Sequence, residues 1–192
     1  MNKHTIVGAE ATVRIEKDRV VKTRFPKAYR LPELDAALRK QRSRREARLL
    51  RRLFNIIRVP AVLEESEDTL VLEKIDGEPL KRHVTIQRCE QAGALVGKMH
   101  SVQIIHGDLT TSNILVEHVG KQKERIALVD FGLSYPSHKL EDFATDVHVF
   151  EELVSTECFD AFWKGYQATQ PKAKDVAARL EKLKGRGRYH GG

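Results

Sequence analysis

Apolar and polar residues alternate over 12–15 and again over 19–25, with Glu16-Lys17-Asp18 between the two runs. A period of two on both sides of a short charged break predicts a β-hairpin. Lys22 falls on the same face of the second run as Val20. An ammonium there either leaves an edge strand for water or has a chemical task. Over 34–54 the spacing lengthens to that of a helix, with Pro32 as its start signal and Leu49, Leu50 and Leu53 on its apolar stripe. Glu46 sits on that stripe, three, four and seven residues before those leucines. A carboxylate among leucines is costly to bury unless a cation meets it, and Lys22 is the cation the pattern offers.

Residues 70–75 read as another strand, closed by a turn at Asp76-Gly77-Glu78-Pro79 that suits a hinge. A helix follows over 85–100, with Cys89, Ala92, Val96 and Met99 inward. Three short apolar runs come next, Ile104-Ile105, Ile114-Leu115-Val116 and Ile126-Ala127-Leu128-Val129. Helical spacing returns over 141–154, 159–167 and 173–184. The basic, glycine-rich end over 185–192 is expected to be mobile and not helical. No internal repeat is evident.

Composition narrows the class without changing these elements. With 192 residues, 41% of them hydrophobic, and only 12 Gly and 6 Pro, the chain is long and apolar enough to bury a core. No apolar run reaches membrane-spanning length, and Met1-Asn2-Lys3-His4 leads into no signal-like segment. Cys89 and Cys158 are far apart in sequence, without metal-ligand spacing, and are expected to be reduced packing thiols in an intracellular protein. Charge changes the picture more. Of a net +7, the stretch 36–58 supplies nine cations (Arg39, Lys40, Arg42, Arg44, Arg45, Arg48, Arg51, Arg52 and Arg58) against the single acid Glu46. A solvated helix face accounts for some of this; a polyanion, RNA first, accounts for the density.

The apolar runs frame His106-Gly107-Asp108-Leu109-Thr110-Thr111-Ser112-Asn113 and Asp130-Phe131-Gly132. Magnesium-dependent phosphoryl transfer needs one acid at the nucleophile and oxygen ligands holding metal against a triphosphate. Asp108 fits the first role, Asn113 and Asp130 the second. Asp108 would otherwise be a turn or helix cap, but its spacing to the other two favours catalysis. His106 is expected to brace the loop. A kinase also needs a lysine–glutamate pair aiming an ammonium at the α- and β-phosphates, which gives Lys22 and Glu46 their reason. Gly107 stands where an arginine often precedes the acid, so a phosphorylated activation segment lacks its partner. Gly8-Ala9-Glu10-Ala11 is a poor remnant of a glycine-rich phosphate loop. Only 60 residues follow Gly132, with no Ala-Pro-Glu, so a peptide-gripping platform is expected to be missing or minimal.

The set resembles protein kinases in general and, in particular, the small atypical kinase subunit of the KEOPS (EKC) complex. The resemblance rests on Val21-Lys22-Thr23-Arg24-Phe25-Pro26-Lys27-Ala28-Tyr29-Arg30, Leu31-Pro32-Glu33-Leu34-Asp35 and Arg45-Glu46-Ala47-Arg48. It continues through the Asp108 and Asp130 motifs, Glu141-Asp142-Phe143-Ala144-Thr145-Asp146 and Gly185-Arg186-Gly187-Arg188, nearly the whole chain. It implies an α+β fold, a reduced bilobal protein-kinase-like one. A small β-rich N-lobe plus helix would span residues 1–75, a truncated helical C-lobe 76–184, and a flexible basic tail 185–192.

ATP would bind between the lobes, with Lys22 on its phosphates, Glu46 holding Lys22, and backbone at Glu73 and Ile75 on adenine. Asp108 would be the catalytic acid/base, and Asn113 and Asp130 would hold Mg2+. The family supports threonylcarbamoyladenosine modification of tRNA, acting through ATP hydrolysis on an ASKHA-fold transferase subunit, with weak protein kinase activity. Implied partners are that transferase, a small regulatory subunit, and tRNA reached through the basic helix and tail; no membrane is implied. The implied location is the cytoplasm, and the nucleus too in a eukaryotic host. Two other functions fit parts of the pattern: a small-molecule phosphotransferase of the aminoglycoside or choline kinase type, and a non-catalytic nucleotide-binding scaffold. The first needs added helices for which the chain has little length. The second need not retain Lys22, Glu46, Asp108, Asn113 and Asp130 together.

Overall fold

The computed structural model describes residues 4–8, 10–120 and 123–187. The alternating runs form strands β2 (Ala11–Ile15) and β3 (Arg19–Arg24), joined by β1 (His4–Val7), β4 (Val62–Glu65) and β5 (Thr69–Glu73) in one antiparallel sheet ordered β1-β2-β3-β5-β4. Strand β3 is therefore central, with Lys22 opposite Val13 on one side and Leu70 on the other. Lys22 is buried, not an edge lysine in water. Helix α1 (Pro32–Leu53) packs against β4 and β5, burying Glu46, Ala47, Leu49, Leu50 and Leu53. Strands β1 and β4 escaped the sequence pattern because they sit at the two sheet edges, where their residues are largely exposed and carry little alternation.

The segment 77–79, expected as part of a turn, is instead strand β6 (Gly77–Pro79). It pairs with β8 (Ile114–Val119), which pairs in turn with β9 (Lys123–Leu128), giving a three-stranded sheet ordered β6-β8-β9. Glycine and proline hide such a strand because their turn preference outweighs a three-residue pattern. Strands β7 (Ile104–Ile105) and β10 (Tyr135–Pro136) form a short ladder of their own.

Helix α2 (Ile86–Ser101) is capped by Thr85, whose hydroxyl accepts from the Arg88 N–H at 3.3 Å, and it packs against α4 (Thr156–Gln167). Helix α3 (Leu140–Glu151) packs against α5 (Ala173–Gly187). Helix α5 runs through Gly185 to Gly187, beyond the limit glycine content suggested; residues 188–192 of the expected tail lie outside the described residues, as does Ala9.

One buried cluster joins α1 and the large sheet to the helical half, through Leu50, Leu53, Leu80, Met99, Ile105 and Leu109. A polar clamp reinforces it. The Arg58 guanidinium donates to Glu73 at the end of β5 (2.6 and 2.7 Å) and to Glu117 on β8 (2.8 and 3.0 Å). Cys89 and Cys158 are both buried and free, and burial together with the neighbouring Cys158 pushes the Cys89 thiol up to about 12. No helix among the described residues is long and apolar enough to cross a membrane.

Candidate active site

Alternation along β3 sends Lys22 and Arg24 to the same face of the sheet, toward α1. Lys22 Nζ donates to Glu46 Oε1 at 2.8 Å and to Asp130 Oδ1 at 2.6 Å, while Arg24 Nη2 donates to Glu46 Oε2 at 2.6 Å. The two residues that looked misplaced in sequence, Lys22 and Glu46, thus meet. Burial works to lower the Lys22 pKa, but the Glu46 and Asp130 carboxylates outweigh it and raise the value. Asp130 shows the converse: partial burial works to raise its pKa, and the Lys22 ammonium overrides it and holds the carboxyl below the usual carboxylate range. Its side chain remains 52% exposed toward the cleft. Arg24 carries no mark in the sequence, where it is an ordinary polar position on an alternating strand.

Asp108 and Asn113 are joined by a tight loop. Asn113 Nδ2 donates to Asp108 Oδ2 at 2.8 Å and to the Asp108 carbonyl at 2.9 Å. The Asn113 carbonyl then accepts from the Val129 N–H at 2.9 Å, fixing the residue before Asp130. Asp146, on the apolar stripe of α3, anchors this loop. It accepts from the His106 and Gly107 backbone N–H groups at 2.6 and 2.9 Å and contacts His100 Nε2 at 3.2 Å. Burial opposes ionisation of Asp146, but His100 and His106 hold its pKa below the usual carboxylate range. Asp146, an acid among Phe143, Ala144, Val147 and Phe150, carries the same signal as Glu46 but has no partner visible in the sequence.

His106 braces the loop as expected: its Nε2 lies 3.1 Å from the Val129 carbonyl, its ring packs on Phe131, and burial lowers its pKa. Gly107 explains the missing arginine. Its φ is +80°, and a Cβ there would lie 2.5 Å from the Leu133 carbonyl oxygen.

A cavity of about 220 Å³ is lined by Lys22, Arg24, Arg42, Asp108, Asp130 and Gly132, with Gly8, Glu10, Ala11, Val13 and Leu133 completing it. It brings together Lys22, Asp108 and Asp130, with Glu46 and Asn113 one hydrogen bond behind. Glu73 and Ile75 lie outside its lining. The Glu73 N–H already donates to the Ala61 carbonyl at 2.9 Å. Two larger clefts, of about 330 Å³ beside Arg88 and Glu124 and about 400 Å³ beside Phe54 and Arg125, contain no comparable set of acids.

The cavity suits a hard divalent cation with a nucleotide. Among the described residues no group of three or more His, Cys, Asp or Glu forms a metal cage. Magnesium needs none, since it usually keeps several waters and takes one or two protein oxygens beside substrate phosphates. A Cβ on Gly132 would lie 2.9 Å from Lys22 Nζ and 3.3 Å from Asp130 Oδ1, so glycine keeps that corner open.

After Gly132 the chain is tied down. Ser134 Oγ donates to the His106 carbonyl at 2.7 Å, β10 pairs with β7, and Ser137 Oγ donates to Asp142 at 2.6 Å. At the cavity mouth, Glu10 is ion-paired with Arg42.

The outer face of α1 is less uniformly basic than its sequence. Arg39 pairs with Asp35 and Asp68, Lys40 with Glu67, Arg51 with Glu65, and Arg52 donates to the Val102 carbonyl. Arg44, Arg45 and Arg48 are exposed and make no hydrogen bond or ion pair with another described residue.

A family model described as the lipopolysaccharide kinase (Kdo/WaaP) family matches residues 21–146. A protein of Archaeoglobus fulgidus named as a probable serine/threonine-protein kinase BUD32 homolog is 37% identical, covering 95% of this chain and 94% of that one. A probable bifunctional tRNA threonylcarbamoyladenosine biosynthesis protein of Methanosarcina barkeri is 43% identical over 95% of this chain. The chain spans 35% of that relative's length. Among solved structures, the Rio2 kinase–ADP/Mg2+-phosphoaspartate complex of Chaetomium thermophilum superposes with a TM-score of 0.69 at 18% identity, over 98% of this chain and 71% of that one. WaaP in complex with acyl carrier protein gives 0.67 at 14% identity, over 98% and 88% of the two chains. The protein-kinase-like fold implied by the sequence resemblance is therefore the fold observed.

Proposed function

The chain belongs to the lipopolysaccharide kinase (Kdo/WaaP) family and to the BUD32 kinases within reach of its Archaeoglobus relative, and from that premise we propose an atypical serine/threonine protein kinase with ATPase activity. The carrying observation is the convergence of Lys22–Glu46, Asp108–Asn113 and Asp130 on one cavity. The N-lobe comprises residues 1–75 and the C-lobe 76–184, with a basic tail at 185–192. Lys22 aims its ammonium at the α- and β-phosphates, and Glu46 holds it there. Asn113 and Asp130 would hold Mg2+ through oxygen atoms, and backbone at Glu73 and Ile75 would meet adenine. Bound Mg-ATP supplies the phosphoryl group and the charge that screens it.

Asp108 orients the attacking oxygen, from water or a Ser/Thr hydroxyl, and accepts its proton as the bond to the γ-phosphorus forms and the β–γ bridge breaks. The tied segment after Gly132 supports ATP hydrolysis over broad protein phosphorylation, because it leaves no long loop to cradle a peptide.

The biological setting is threonylcarbamoyladenosine modification of tRNA, supported by the naming of the Methanosarcina relative. In it the chain acts as a KEOPS subunit in the cytoplasm, with an ASKHA-fold transferase and a small regulatory subunit as protein partners. The exposed Arg44, Arg45 and Arg48 on α1 and the basic tail supply tRNA contacts. Turnover of labelled ATP, alone and then with tRNA and the transferase, tests this. Hydrolysis that rises when both are present is expected. Absence of turnover under every condition would overturn the enzymatic assignment.

A further inference from the structure

A lysine–glutamate pair needs one cation on its carboxylate, yet Glu46 carries two, Lys22 on Oε1 at 2.8 Å and Arg24 on Oε2 at 2.6 Å. Glu46 is 1% exposed and Arg24 4%, so neither charge is relieved by water. Lys22 has a second commitment, the 2.6 Å bond to Asp130 Oδ1. A cation seated on Asp130 competes with the Lys22 ammonium for that oxygen, and the two positive charges repel. The ammonium must then swing from Asp130 toward the phosphates. If it were Glu46's sole counter-ion, the swing would strain or strand a buried carboxylate, which is strongly unfavourable.

We propose that Arg24 is a positioning residue: its guanidinium is the standing counter-ion of Glu46, which frees Lys22 to move between Asp130 and the phosphates of a bound nucleotide. Arginine suits the task because it stays protonated and its planar fork fixes the carboxylate in orientation. Placement agrees. Arg24 lies two residues from Lys22 on central strand β3, opposite the small Ala11, and lines the same cavity. Glu46, fixed by Arg24, then limits how far Lys22 can swing. The inference rests on this cavity being the nucleotide site, and the test separates the two ideas.

Two double-substitution cycles decide it. The first uses thermal melting without nucleotide. Lys22→Met and Arg24→Gln each leave Glu46 one cation and should lower the melting temperature modestly. Together they should lower it far more than the two single losses combined, and adding Glu46→Gln should restore it. Additive losses would overturn the shared counter-ion.

The second cycle is calorimetric titration with Mg-ATP. Arg24→Gln should weaken binding roughly tenfold, as expected for coupled neighbouring charges, and Arg24→Lys should recover part of the loss. Acting through Lys22, Arg24→Gln should cost no further affinity in a Lys22→Met, Glu46→Gln background, where the buried charge is gone and folding is secure. An equal loss there would mean a direct phosphate contact and overturn the positioning role. Lower melting with unchanged affinity would reduce Arg24 to a structural residue. A parent chain without Mg-ATP affinity would remove the nucleotide reading itself, whatever the melting cycle gives.

Discussion

Asp130 holds a φ of 62° although it is not glycine, and its strand ends two residues earlier. A left-handed backbone costs an L-residue about 1–2 kcal/mol, a cost aspartate bears better than most. The turn aims the carboxylate back at Lys22 and into the cavity. Asp108 is held differently, by the Asn113 amide, with its carboxylate still lining the cleft. Asp108→Asn is expected to lower ATP turnover about 100- to 10,000-fold, because it removes the proposed proton acceptor. Nucleotide affinity should stay near the parent value, and a turnover loss of less than threefold would contradict the role. Gly107→Ala should destabilise the fold by at least about 1–2 kcal/mol from its left-handed backbone alone. The new Cβ also meets the Leu133 carbonyl, so chemical denaturation should show the loss together with reduced turnover in the folded fraction. Lys22 and Glu46 were legible as misfits that explain each other. Asp146 carried the same mark and passed unnoticed because nothing in sequence shows two backbone N–H groups waiting for it. Arg24 had no mark at all.

Helix α1 has two faces with separate work. Its inner face places Glu46 between Lys22 and Arg24; its outer face carries Arg44, Arg45 and Arg48. Helical spacing revealed the inner face, since Leu49, Leu50 and Leu53 define it and Glu46 interrupts it. The charge count of 36–58 overstates the outer face, because Asp35, one residue ahead of that stretch, pairs with Arg39, and Asp68, Glu67 and Glu65, on the loop and strand around β4 and β5, pair with Arg39, Lys40 and Arg51. The edge strands were illegible for a related reason: their partners, not their own pattern, make them strands. Arg48→Glu should weaken tRNA binding in the reconstituted complex and flatten its salt dependence by about one unit of slope or more, as a phosphate contact is lost. Mg-ATP affinity should not change, since Arg48 is exposed and does not line the cavity. An unaltered salt slope would remove α1 from the RNA surface.

Across the whole molecule, Arg58 ties the end of β5 in the large sheet to β8 in the three-stranded one. Hydrogen bonds from Arg58, opposed by burial and aided by Arg125, hold the Glu117 carboxyl at about 2, below its ordinary 4.5. Because the folded value is the lower one, this stabilisation is fully present above pH 4.5 and is lost as pH falls toward 2. Thermal melts across that window should fall steeply for the parent. Arg58→Met should start lower near neutrality and fall less, and parallel curves would remove the clamp from the account of acid stability. The clamp is no part of the cavity lining, whereas the chemistry depends on what enters that cavity. The most direct measurement is calorimetric titration of ATP, with and without magnesium, into the parent and into Asp130→Ala. Magnesium should strengthen binding to the parent and do little for Asp130→Ala, which lacks the carboxylate proposed to hold the metal. Equal strengthening in both proteins would contradict the metal-assisted phosphoryl-transfer site on which every other assignment depends.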